Sequence, residues 1–152
     1  MKAFAATLLG VSLLGASVAL QGASGVAAAG ESVETLYRLH CSGCHGMDGV
    51  GSKVGRIPPF AGIAGHFAGT ADGRLYLVHV PGVANAALPD DETARLLNYV
   101  LHTWAAAELS PNAPDFTAAE VGSLRNVHVD DVARLRSELG AVLARHGTSI
   151  AY

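Results

Sequence analysis

Two cysteines occur in the 152 residues, and they stand three positions apart in Cys41-Ser42-Gly43-Cys44-His45. On a helical turn, residues i and i+3 project from one side, so both thiols face the same way. His45 is i+4 from Cys41 and shares that side, and Gly43 keeps the turn small. This pattern admits few chemistries. A thioredoxin-like redox pair also uses Cys-x-x-Cys, but there it begins a helix in a βαβ context. No strand-like run precedes Cys41. A zinc site needs a fourth ligand and usually a second close pair. His66 or His40 would have to supply that ligand, and no second cluster exists. A plain disulfide would leave His45 without a role.

The string Cys-x-x-Cys-His is also the attachment pattern of a c-type haem. Cys41 and Cys44 would form thioethers with the two vinyl groups along one porphyrin edge. His45 would then swing under the ring to the iron. One haem c, covalently attached through Cys41 and Cys44 and with His45 as the metal ligand, is the expected cofactor.

Other segments follow in a telling order. A helix is expected over residues 34–40, then the attachment site, then Gly46-Met47-Asp48-Gly49-Val50-Gly51. Gly46, Gly49, Gly51 and Gly55 suit left-handed turns and close backbone approach. A loop with Ile57-Pro58-Pro59-Phe60 comes next, followed by a short helix over 73–79 and a final amphipathic helix from about Asp90. In that last helix Ala94, Leu97, Leu101 and Trp104 recur at helical spacing, and Leu96 and Val100 widen the stripe. In this order, residues 34–104 resemble a class I c-type cytochrome domain. The resemblance implies an all-α, cytochrome c-like fold around one covalent haem. It implies that the Pro58 carbonyl accepts the His45 Nδ1 proton. It also implies that the last helix crosses the first, with Leu36, Tyr37, Tyr99 and Trp104 in contact.

One departure from the family is plain. A class I cytochrome usually has a methionine as second axial ligand, in the loop before the last helix. Here that loop is Val80-Pro81-Gly82-Val83-Ala84-Asn85-Ala86-Ala87-Leu88-Pro89, and the chain's two methionines are Met1 and Met47. Met47 lies two residues after His45, too few to carry it around the ring. The replacement is His79, His66, Asn85 or an open position. His102, His128 and His146 read as surface residues. The ligand type matters because methionine raises a haem potential relative to histidine or water.

The ends of the chain have separate roles. Met1-Lys2, the uncharged and mostly apolar stretch from Ala3 to Leu20, and Ala27-Ala28-Ala29 make the pattern of a secretory signal peptide over 1–29. A membrane anchor is the competing reading. The expected location is periplasmic or otherwise exported, with no membrane span in the mature chain. A cytochrome c domain is expected over 30–109. Ser110-Pro111-Asn112-Ala113-Pro114 reads as a linker, opening a C-terminal helical extension, 110–152, that packs on the domain. There Thr117 and Glu120 form a capping box, with Phe116 and Val121 as hydrophobic staple. A second helix carries Val132, Leu135, Leu139, Val142 and Leu143 on one face, and Gly147 caps its end.

Lys+Arg is 10 against Asp+Glu 13, a net charge of −3, which offers nucleic acid no basic surface. The functional expectation is a mono-haem carrier of single electrons between redox proteins, as a free carrier or a dehydrogenase-associated subunit, and not an enzyme. The alternative is a haem protein that binds a small ligand or peroxide at an open sixth position.

Overall fold

The computed structural model describes residues 30–150, so the expected signal peptide lies outside the described residues. The helices in chain order are α1 (Val33–His40), α2 (Ser42–His45), α3 (Ala64–Ala68), α4 (Ala71–His79), α5 (Pro81–Ala84), α6 (Asp90–Trp104), α7 (Ala118–Arg125) and α8 (Val132–Arg145), with a 3-10 turn at Ala106–Glu108. Among the described residues no strand forms; Ser52 and Ile57 make one isolated antiparallel bridge. The all-α, cytochrome c-like fold expected from the sequence is the one observed.

Local chemistry starts most of the long helices. The side chains of Ser32, Thr70, Thr117 and Asp131 accept from the backbone N–H of Thr35, Gly73, Glu120 and Arg134, starting α1, α4, α7 and α8. The 15-residue helix α6 has no such cap. Its first turn instead carries Asp90, Asp91 and Glu92, which suit the positive end of the helix dipole. Two short helices, α3 and α5, lie outside what periodicity predicts. The second of these is inside the expected ligand loop and begins with Pro81, whose fixed φ suits a first helical position.

The apolar stripe on α6 is wide enough to bury two sides. Leu96 and Val100 pack on Leu36 and Tyr37 of α1, with Tyr99 and Trp104 against them. Tyr37 meets Trp104 at 4.6 Å and Tyr99 at 5.9 Å between ring centroids, so the four expected contact residues do meet. Ala94, Leu97 and Leu101 face the other way, toward Ala64, Val78 and the incoming Phe116 and Val121.

The C-terminal helices join this core through charged side chains as well as apolar ones. Arg74 of α4 donates to both Glu120 oxygens, at 2.5 and 2.6 Å, and to the carbonyls of Ala68 and Pro114. Its guanidinium carbon lies 3.7 Å from the centre of the Phe116 ring. Arg125, at the end of α7, binds the Asp90 carboxylate, the Leu88 carbonyl and the Thr93 hydroxyl. The next helix, α8, packs Leu139 against Ile63, Phe67 and Tyr76, with Val132, Leu135 and Leu143 alongside. Val142 is a correction: it is exposed, because the buried arc of α8 is centred on Leu139 and passes it by. After α8, Gly147 takes φ +84 as a cap residue should.

Candidate functional site

The five-residue string folds as a helical turn at the end of α1. The backbone N–H groups of Cys44 and His45 both donate to the Cys41 carbonyl, which winds the turn tightly. Both cysteines are free thiols, Cys41 half-buried and Cys44 exposed. Burial, with Cys44 nearby adding a smaller effect, pushes the Cys41 thiol up to about 11. That is opposite to the depressed thiol of a redox-active Cys-x-x-Cys pair. Among the described residues, no three His, Cys, Asp or Glu side chains converge as a metal cluster.

His45 is held from behind. Its Nδ1 lies 3.1 Å from the Pro58 carbonyl oxygen. A carbonyl only accepts, so Nδ1 carries the proton and Nε2 keeps its lone pair. Burial also lowers the His45 pKa, which the Pro58 bond partly opposes, so the neutral ring is favoured. Phe60 stacks on the imidazole at 4.1 Å and 17°. Tyr37 donates its hydroxyl to the Gly46 carbonyl at 2.5 Å, fixing the turn that follows. Burial first, then the neighbouring Cys41, Asp48 and Tyr99, raises the Tyr37 phenol to about 12, so it stays a donor.

The Pro58 loop reaches His45 because Gly51 lets it. Gly51 sits at φ +70, and a Cβ there would fall 2.3 Å from the Ile57 carbonyl oxygen and 2.6 Å from that of Pro58. Its own N–H donates to the His45 carbonyl at 2.9 Å. Gly46 and Gly49 also take positive φ, as expected, but Gly55 does not. The left-handed residue of that turn is Arg56, at φ +55.

Cys41, Cys44 and His45 all line one cavity of about 450 Å³. That volume is in the range of cofactor sites, roughly 300–1,000 Å³. The Pro58 loop, α3, α4, α5 and α6 supply its mostly apolar walls. None of the three candidate sixth ligands, His66, His79 and Asn85, is on the lining. His79 is turned back on its own helix, donating from Nδ1 to the Leu75 carbonyl at 2.9 Å. Met47 is 60% exposed and outside the cavity. Five polar residues of the lining were missed as haem-site residues: His40, Arg56, Tyr76, Thr93 and Arg136. Arg136 had a readable signal, a cation set among Val132, Leu135, Leu139 and Leu143 on one helical stripe.

No protein-family model matches the chain. Cytochrome c-552 of Thermus thermophilus is 33% identical over 103 residues, covering 56% of this chain and 78% of that protein. The chain belongs to the cytochrome c family. A second Thermus thermophilus cytochrome c-552 is also 33% identical over 103 residues and is covered over 69% of its length. In this cytochrome, no helix among the described residues is long and apolar enough to cross a membrane.

Proposed function

We propose that this chain is an exported, mono-haem class I cytochrome that carries single electrons between redox proteins, as a free periplasmic carrier or a dehydrogenase-associated subunit. In this reading residues 1–29 are a cleaved signal, 30–109 the cytochrome domain and 110–152 a helical extension of it. Cys41 and Cys44 hold the haem by thioethers and His45 ligates its iron. The observation that carries the reading is the His45 ring, pinned at Nδ1 with a free Nε2 lone pair on the wall of an apolar cavity that both thiols also line. When bound, the haem supplies a ferrous/ferric couple.

The chain's own residues do the rest. The Pro58 carbonyl fixes the tautomer of His45 and raises its basicity as a ligand. Phe60, Leu97 and Leu101 give the cavity apolar walls. The reading describes a carrier, with no catalytic group assigned. A visible spectrum in alkaline pyridine tests it. Protein from an exporting host is expected to give a c-type haemochrome, and the haem should stay with the chain in acidified acetone. Haem that extracts freely, or none at all, overturns the proposal.

The absence of His66, His79 and Asn85 from the cavity lining favours a second reading, a haem with an open sixth position for a small ligand. It predicts complete carbon monoxide uptake by the ferrous protein. A ferrous spectrum unmoved by carbon monoxide would show that a side chain has closed the position.

A further inference from the structure

The helix α8 lies beyond the segment that resembles a cytochrome domain, yet it reaches the cavity. Its inward stripe runs Val132, Leu135, Leu139 and Leu143, and Arg136 falls within that arc. Arg136 lines the cavity beside residues of α4, and its Nε and Nη2 atoms are buried. One other guanidinium, that of the exposed Arg56, is on the lining, and among the described residues no aspartate or glutamate is. The cavity therefore presents cations and no anion to whatever fills it.

We infer that Arg136 receives a carboxylate of the cavity's occupant, and that this carboxylate is a haem propionate. The inference rests on the haem reading above. A guanidinium fork matches a carboxylate with two parallel hydrogen bonds, and a surrounding of low dielectric strengthens the pairing. The extension is thus part of the cofactor site. Its positive charge opposes the extra positive charge of ferric iron and so favours the ferrous state.

Equilibrium redox titration of the holoprotein tests this. Arg136→Met is expected to lower the ferrous/ferric ratio at a fixed ambient potential at least threefold, about 28 mV at 59 mV per tenfold. Arg136→Lys keeps the charge and should recover most of the ratio. Arg134→Met, two residues away and with a side chain 66% exposed, should change nothing. A shift in Arg136→Met no larger than in Arg134→Met overturns the inference. Equal shifts in the Met and Lys variants also overturn it, because packing alone would then explain them. If Arg136→Met does not accumulate, Arg136→Gln is judged by the same two criteria. Wild-type protein without covalent haem would instead sink the haem reading, which the haemochrome reports separately.

Discussion

Replacing Arg74 by methionine should lower the stability of the protein by about 3–5 kcal/mol, the usual penalty for removing one partner of a buried ion pair. The Arg74 side chain is 9% exposed and that of Glu120 30%. Methionine fills much of the arginine stem's space, so the loss comes from the head group. Glu120 would be left half-buried without its counter-ion, and the Ala68 and Pro114 carbonyls without a donor. Because the same head group ties α4 to the linker and to α7, loosening of the extension should precede loss of the α1–α6 pair. Hydrogen exchange by segment, with urea unfolding, measures both.

The same pair sets an acid dependence. The Arg74 hydrogen bond is the largest cause holding the Glu120 carboxyl below its ordinary range, and burial opposes it. A depressed folded pKa gives stability that is present above the unfolded value and lost as pH falls through the folded one. The gap in stability between wild type and Arg74→Met should therefore close as pH falls through the carboxylate range. A gap that stays constant from neutral pH to well below that range would show that the pairing is not its source.

Gly51→Ala should cost at least about 2 kcal/mol, because it combines a left-handed backbone position with a collision against carbonyl oxygens. The new methyl would stand 2.3 Å from one carbonyl oxygen and 2.6 Å from the next. Neither can yield without moving the Pro58 loop away from His45. The effect is thus expected in two readouts at once, the denaturant midpoint and the environment of the His45 ring. Gly82→Ala is the control: a Cβ there meets nothing within 4 Å, so it should leave the His45 ring undisturbed and the midpoint no lower. An alanine at position 51 that lowers stability without disturbing His45 would refute the coupling between them.

What was legible in the sequence is what short spacing decides. The helical turn of Cys41 to His45, the capping residue Thr117 and the two-sided stripe of α6 all depend on neighbours within a few positions. The Pro58 contact came from resemblance rather than spacing, and it is present. Long-range choices were hidden. Nothing near Arg74 in sequence says that Glu120, 46 positions on, completes it. Arg125 likewise reads as an ordinary end-of-helix cation, and it closes on Asp90 and the loop before α6. His79 has the right place in the chain for a ligand, but its ring turns back to the carbonyl one turn earlier and is not on the cavity wall. Left-handed strain fell on Arg56 instead of Gly55, since the Ser52–Ile57 bridge fixes which residue must turn.

The placement of α8 has a consequence for assembly. In chain order Cys41 and Cys44 come early, and the helix that brings Arg136 to the cavity comes last. The pocket's thiols and imidazole therefore come from the first helices, and one cation of its lining arrives only with the last. A chain that stopped short of that helix would keep Cys41, Cys44 and His45 and lose the charge of Arg136.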